Sequence, residues 1–141
     1  MCVAKKYLQQ VELCERRINN KLEDLARLRD QATSVTANLS STGGGFGGGH
    51  GDKVGAAVCR IVDLDREINE DIDKCVDLKR EIMAVIDKVD DPDYYDILHK
   101  RYLHLKTWEQ IAEEMHADVR TITKKHGPAL QSIAEILKSR P

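Results

Sequence analysis

Two long stretches of this chain carry apolar residues at seven-residue intervals, and a glycine-rich segment separates them. The series in residues 3–39 consists of Val11, Ile18, Leu25, Ala32 and Leu39, with Cys14, Leu28 and Val35 between them. The series in residues 53–89 consists of Val54, Ile61, Ile68, Cys75, Ile82 and Val89, supported by Ala57, Leu64, Leu78 and Val85. Such a repeat is typical of helices that pack side by side along a narrow apolar seam. We call these positions the main seam.

If the chain turns back at the glycines, the two series meet in mirror order, and the residue numbers of each pair add up to 92 or 93. The expected partners are Val11 and Ile82, Cys14 and Leu78, Ile18 and Cys75, Leu25 and Ile68, Leu28 and Leu64, and Ala32 and Ile61. The pattern predicts a long antiparallel, coiled-coil-like helical hairpin whose arms are each about 50 Å long at 1.5 Å per residue. The link GGGFGGGHG lacks the Gly-Lys-Ser/Thr ending of a phosphate-binding loop, so we expect a flexible connector.

A second apolar strip lies beside the main seam and would stay exposed in a lone hairpin. It consists of Leu22, Val58, Ile72 and Ile86. Two hairpins packed as a four-helix homodimer would cover this strip, and docking of the C-terminal helices would also cover it. We expect the homodimer, because an isolated pair of helices buries little surface per residue. The alternative is a monomer with an apolar flank.

Composition favours an all-α fold, because only six residues are Phe, Trp or Tyr and the core must come from Ile, Leu, Val and Ala. We expect residues 1–90 to form the hairpin, with the link at 40–52, and residues 91–141 to form a small C-terminal helix-turn-helix domain with a separate core. No apolar run is long enough to cross a membrane, and the N-terminus lacks the apolar stretch of a signal peptide. The expected location is therefore the cytoplasm of a bacterial host.

Residues 107–126, TWEQIAEEMHADVRTITKKH, have the spacing of a helix-turn-helix. Thr107 is expected to cap the first helix in a capping box with Gln110. The inward positions are Ile111, Ala112, Met115, Val119 and Ile122, with a turn at His116 and Ala117 and a second cap at Asp118. A second helix held out in this way can enter a major groove. Two short helices joined by a three-residue turn also occur in ordinary bundles, and this alternative stays open.

The second helix supplies most of the candidate DNA-binding residues. The residues expected to face the groove are Arg120, Thr121, Thr123 and Lys124, and those expected near phosphate are Lys125 and His126. Thr107 and Arg101 complete the candidate set. Residues 92–141 carry eight Lys and Arg against seven Asp and Glu, so there is no broad basic field. Any attraction to phosphate must come from the local cluster.

Between hairpin and helix-turn-helix, Asp91-Pro92 predicts the start of a new helix, with Pro92 at its first position. The core of the C-terminal domain is expected to contain Ile97, Leu98, Tyr102, Leu105, Trp108 and Ile111. The four cysteines form no Cys-x-x-Cys pair, and Cys14 and Cys75 are expected to be small buried apolar residues. No residues combine a nucleophile with a base and an orienting group, so we expect neither an enzyme, a cofactor nor a metal site.

The run ILHKRYLHLKTWEQIAEEMHADVRTITKKHGPALQSI resembles the C-terminal promoter-recognition region of bacterial sigma factors. Together with LEDLARLRDQATSVTANLS and DKVGAAVCRIVDLDREI, it resembles the small sigma-like regulatory proteins of phages and prophages of Gram-positive bacteria. The resemblance covers most of residues 18–135. It implies a DNA-binding role and no enzymatic activity, and it places the helix of Arg101 near the DNA backbone. An ion pair of Arg101 with Asp93 or Asp96 is the alternative.

The chain departs from the sigma pattern at Gly127-Pro128, where proline removes the bond to the carbonyl of Lys124. Either a new helix begins at Pro128 or the recognition helix bends. The expected function is sequence-specific binding of double-stranded DNA in phage transcription, and contact with bacterial RNA polymerase stays open. The alternatives are a phage DNA-packaging or assembly adaptor, and a module whose helix-turn-helix docks on a protein.

Overall fold

Both seam-bearing stretches are helical in the computed structural model, where α1 spans Val3–Ser41 and α2 spans Gly48–Ile86. The structure describes residues 3–41 and 48–140, and the side chains of 3–34 and 53–140. The predicted seam residues Val35 and Leu39, and Phe46 of the link, therefore lie outside the described side chains. The predicted link at 40–52 is too long, because its ends belong to α1 and α2. Extending a formed helix by one residue adds one hydrogen bond at little cost.

The described chain is helical, and α1 and α2 pair as a hairpin, as predicted. Every main-seam residue with a described side chain is buried or half-buried. In the compact unit formed by residues 16–73, a half-buried ion pair joins the two helices, with Lys21 Nζ 2.6 Å from Asp71 Oδ2. Their residue numbers also add up to 92, so this pair follows the predicted mirror order. Both occupy main-seam positions that the apolar series skips.

The other compact unit combines residues 1–15 with residues 74–141. Here α3 spans Pro92–Leu98 and continues into a π-helical segment, His99–Leu103. The helix-turn-helix consists of α4, Trp108–Glu114, and α5, Val119–Lys138. α3 begins at Pro92, as predicted, and Asp91 caps it, since its side chain accepts hydrogen bonds from the backbone N–H groups of Asp93 and Tyr94.

The expectation of two separate cores is wrong. One buried cluster contains residues from α1, α2 and the C-terminal helices: Ala4, Leu8, Val11, Ile82, Val85, Ile86, Val89, Leu98, Tyr102, Ala129, Leu130 and Ile133. Its C-terminal residues come from α3, the π-helical segment and α5, which are too small to enclose a core of this size alone and close it against the ends of α1 and α2. The predicted domain boundary between residues 90 and 91 stays a prediction.

Cys14 and Cys75 are joined in a disulfide, so their interpretation as isolated apolar residues is wrong. Their Cα atoms are 5.9 Å apart although 61 residues separate them in sequence. The predicted partner of Cys14 was Leu78, which lies one turn further along α2. Antiparallel packing brings seam positions of two helices into direct opposition, and two cysteines at such positions are close enough to bond.

α5 is one continuous helix with Pro128 inside it, so a new helix starting at Pro128 is not formed. Gly127 explains this outcome in part. A proline ring normally collides with the Cβ of the preceding residue, and glycine has none. Lys124 and Pro128 are also exposed, so water can reach the carbonyl of Lys124, which loses its helical hydrogen bond.

The second apolar strip divides into two parts. Ile86 is completely buried in the cluster described above, where the C-terminal helices cover it, which is one of the two expected ways of covering the strip. In the unit of residues 16–73, Leu22, Val58 and Ile72 remain 45%, 50% and 40% exposed, and neighbouring Val62 is 50% exposed. An apolar flank of this kind fits a further packing partner.

Candidate nucleic-acid interface

The helix-turn-helix starts as the sequence predicts. The hydroxyl of Thr107 accepts a hydrogen bond from the backbone N–H of Gln110 at 3.2 Å, and the side chain of Gln110 accepts one from the N–H of Thr107 at 2.9 Å. This reciprocal pair satisfies two N–H groups that the first turn of α4 leaves open. Thr107 itself is exposed beside this turn.

The turn between α4 and α5 also forms where predicted. His116 has a φ of 55°, and the N–H of Ala117 bonds to the carbonyl of Ala112 at 3.0 Å. A second buried cluster holds the two helices together and consists of Ile97, Ile111, Ala112 and Ile122. The motif is therefore fixed from both sides, by local hydrogen bonds and by packing.

Two inward assignments are wrong. Val119 is 37% exposed, and Leu105 is 36% exposed with a left-handed φ of 55°. Leu105 lies where the chain leaves the π-helical segment, and the N–H of Lys106 bonds back to the carbonyl of Lys100 across it. Asp118 does occupy the cap position of α5, but its side chain makes no capping hydrogen bond.

The outward side of α5 carries the four residues expected to face a groove, and all four are exposed: Arg120, Thr121, Thr123 and Lys124. Arg120 and Lys124 are four residues apart and so share one helical face. Neither forms an ion pair with the described part of the chain. The hydroxyl of Thr123 donates to the carbonyls of Val119 and Arg120, and its oxygen remains able to accept.

Lys125 lies on one flank of α5 and pairs with Asp93, with 2.7 Å between Nζ and Oδ2. The hydrogen bond to Asp93 raises the pKa of the Lys125 ammonium. A phosphate at this flank would have to compete with a carboxylate that is already in place. Lys125 is thus positioned less favourably for phosphate than its sequence position indicates.

His126 lies half-buried on the other flank, with its Nε2 2.6 Å from the hydroxyl oxygen of Tyr102. Its ring stacks on Tyr102 and meets the edge of Trp108, with ring centroids 4.7 Å apart in the second pair. Burial, then the charges of Lys5 and Arg101, lower the pKa of His126 to about 4. At neutral pH the imidazole is therefore uncharged and supplies no cation.

Arg101 does not form the alternative ion pair with Asp93 or Asp96, and its role near the DNA backbone stays a prediction. Its guanidinium lies over the ring of Trp108 at 4.3 Å from the centroid, and its Nη1 donates to the carbonyl of Lys106 at 3.0 Å. Such a stacked guanidinium is held in one orientation. The sequence did not predict the π-helical segment that carries Arg101 and Tyr102. A single extra residue in one helical turn leaves no clear mark on the spacing of apolar residues.

A cavity of about 370 Å³ lies between these side chains and the first turns of α1. It brings three candidate residues together, Arg101, Thr123 and His126. The remaining lining residues are Lys5, Gln9, Glu12, Tyr102, Leu105 and Trp108. Sequence reasoning missed Lys5 and Gln9, because about a hundred residues separate them from the helix-turn-helix and no spacing connects the two.

Other cations near the motif are already paired. Glu114 accepts hydrogen bonds from Lys106 at 2.7 Å and from Lys100 at 2.9 Å, and these bonds lower its pKa to about 2. Around the first turns of α5, the positive charge without a carboxylate or aromatic partner among the described residues is thus carried by Arg120 and Lys124, with Lys5 and Lys6 at the start of α1. In the described part of the chain, no three His, Cys, Asp or Glu side chains are grouped to hold a metal ion, and no helix could span a membrane.

No protein-family model, no curated protein and no solved structure matches this chain. The likeness to sigma-like phage proteins therefore rests on the sequence segments quoted above.

Proposed function

We propose that this chain is a sequence-specific DNA-binding regulator with α5 as its recognition helix. The observation that carries the proposal is the exposed pair Arg120 and Lys124, on the face of α5 opposite buried Ile122. Lys100, Lys106 and Lys125 have carboxylate partners and Arg101 has an aromatic one, whereas Arg120 and Lys124 have neither among the described residues. Free Arg and Lys side chains on an outward helix suit base edges and phosphates in a major groove.

The resemblance to sigma-like proteins supports phage transcription in the bacterial cytoplasm as the regulated process. The bound site is then a promoter or an operator, and bacterial RNA polymerase is a further partner of this proposal. A packaging or assembly adaptor would use the same DNA contacts to direct another machine.

The exposed strip of Leu22, Val58, Val62 and Ile72 supports a homodimer formed by the hairpin. Two copies packed through it would bury apolar surface that a single chain leaves in water. Sedimentation of the wild type should give the dimer mass, and Ile72→Lys should give the monomer mass. A wild type that sediments as a monomer at high concentration would remove the dimer from the proposal.

One observation favours a second candidate, in which the helix-turn-helix docks on a protein. Glu109 and Glu113 are exposed on α4, the helix that crosses the DNA backbone in helix-turn-helix complexes. Carboxylates at that place repel phosphate, whereas they suit a basic protein surface.

Selection of bound sites from a random duplex pool separates these candidates. The wild type should enrich one sequence, and Arg120→Ala should cost on the order of 1–3 kcal/mol and relax the preference at one base pair. Lys138→Ala, at the far end of α5, is the matched control and should leave the preference intact. If the wild type enriches nothing and binds no duplex at low salt, the DNA proposal fails and the protein-docking candidate replaces it.

A further inference from the structure

The cavity beside α5 has an electrostatic character that the helix-turn-helix alone does not explain. Its walls carry two cations, Lys5 from α1 and Arg101 from the π-helical segment, and one carboxylate, Glu12. His126, which also lines the cavity, is uncharged at neutral pH because its pKa is about 4. The cavity therefore has a net positive charge, and its cations are close enough to act on the His126 ring.

Arg101 is prepared for a ligand by its own contacts. Stacking on Trp108 and the bond to the carbonyl of Lys106 fix the plane of its guanidinium. A guanidinium has five N–H donors in a rigid fork, so one bond leaves donors for an anion. Because its orientation is set beforehand, binding costs little further side-chain entropy.

The two flanks of α5 differ in a way that selects one of them. On the flank of Lys125, the carboxylate of Asp93 neutralises the cation at 2.7 Å. On the flank of Thr123, the cavity offers two cations, Lys5 and Arg101, and a hydroxyl oxygen, against the single carboxylate of Glu12. A helix in a major groove has a sugar-phosphate strand along each flank. Phosphate is accordingly favoured at the cavity and disfavoured at Lys125.

We propose that the cavity receives a phosphodiester group of the DNA backbone, with Lys5 of α1 and Arg101 as its two cationic ligands. This inference rests on the DNA-binding function proposed above and extends the DNA-binding surface beyond the helix-turn-helix to the start of the hairpin. Lys5 is the new member of this DNA-binding surface, because no helix-turn-helix pattern includes it.

The chain offers a closely matched control for Lys5. Lys6 is the next residue of α1, is equally exposed, and does not line the cavity. Binding of the full-length Lys5→Gln and Lys6→Gln proteins to the selected duplex is measured across a salt series. Lys5→Gln should lower the slope of log affinity against log salt by about 0.9 and weaken binding roughly five- to tenfold at 0.1 M salt, whereas Lys6→Gln should change neither.

Two outcomes separate this inference from the function on which it rests. If the wild type binds the duplex and the two variants behave alike, the cavity assignment is wrong while DNA binding stands. If the wild type binds no duplex at low salt, both fail together. Because both lysines are exposed near the start of α1, loss of folding is not expected, and circular dichroism verifies it.

Trp108 provides a second readout, because it is the only tryptophan and forms part of the cavity wall. Duplex DNA should change its emission in the wild type. Inorganic phosphate and a deoxynucleoside monophosphate should leave it unchanged at the same micromolar concentrations. Saturation by either small molecule at micromolar concentration would instead make the cavity a site for free phosphate compounds and overturn the backbone assignment.

Discussion

The hydroxyl oxygen of Tyr102 lies 2.6 Å from Nε2 of His126, which ties the π-helical segment to the middle of α5. In the neutral ring, Nε2 can accept a hydrogen bond from the Tyr102 hydroxyl while Nδ1 carries the ring hydrogen. The stacked rings and the edge of Trp108 exclude water from much of the imidazole. The position of the recognition helix is therefore coupled to an uncharged histidine.

This coupling predicts a pH dependence of stability. The unfolded chain protonates His126 below about pH 6.5, whereas the folded chain does so only near pH 4. The unfolded state binds more protons between these values, so the free energy of unfolding falls as the pH falls from about 6.5 to 4 and is fully retained above 6.5. The shift of the His126 pKa sets an upper limit on this loss of unfolding free energy. Solvent around the half-buried ring reduces the loss to on the order of 1 kcal/mol.

Urea unfolding at pH 7.5 and pH 5 measures this effect. His126→Gln should lose less stability between the two pH values than the wild type, since it cannot bind the proton. His116→Asn is the control, because it removes an exposed histidine and asparagine tolerates the left-handed backbone there. An equal pH dependence in the wild type and His126→Gln would contradict the prediction.

A second prediction concerns the ion pair in the main seam. Lys21→Leu leaves half-buried Asp71 without this partner and should lower the free energy of unfolding by about 2–3 kcal/mol. The double variant Lys21→Leu/Asp71→Leu should recover most of this loss, because two apolar residues at facing positions can pack. Arg27→Ala, which breaks the exposed pair with Glu23, should cost less than about 0.5 kcal/mol. Chemical unfolding curves measure these free energies of unfolding. A double variant no more stable than Lys21→Leu would count against the pairing of the two residues.

A third prediction concerns the bond between Cys14 and Cys75. Closing a loop across 61 residues restricts the unfolded chain, for which the chain-entropy model gives about 4 kcal/mol. Cys14→Ser/Cys75→Ser, or reductant on the wild type, should therefore lower the melting temperature by roughly 10 °C. Cys59→Ser, at a free exposed cysteine, should not. Mass spectrometry of the oxidised protein tests the pairing of the two cysteines itself. A melting temperature that does not change on addition of reductant would exclude the disulfide.

A fourth prediction follows from the pair of Lys125 and Asp93. Asp93→Asn removes the carboxylate that occupies Lys125 and should tighten duplex binding about two- to fivefold, with a steeper salt dependence. Asp90→Asn removes the same charge three residues earlier, outside this pair, and serves as the control in the same titration. Equal changes in both variants would mean that only net charge matters and that Lys125 gains nothing by being released.

Sequence alone determined the features that depend on nearby residues. The seven-residue apolar repeat predicted both long helices and their antiparallel pairing, because one helical face must be buried along its length. The caps at Asp91 and Thr107 were predictable for a similar reason, since their hydrogen bonds join residues two or three positions apart. The inward positions Ile111, Ala112 and Ile122 follow from the same short-range periodicity.

Only the tertiary structure decided which distant residues meet. Lys5 reaches the cavity beside Thr123 because the C-terminal elements pack against the start of α1, and Cys14 meets Cys75 because α1 and α2 are antiparallel. His126 is turned inward by two aromatic rings from other elements, although the two residues before it are cations. Helical periodicity sets which face of a segment is apolar, whereas the packing partners set which side chains on its flanks are buried, paired or left free to bind.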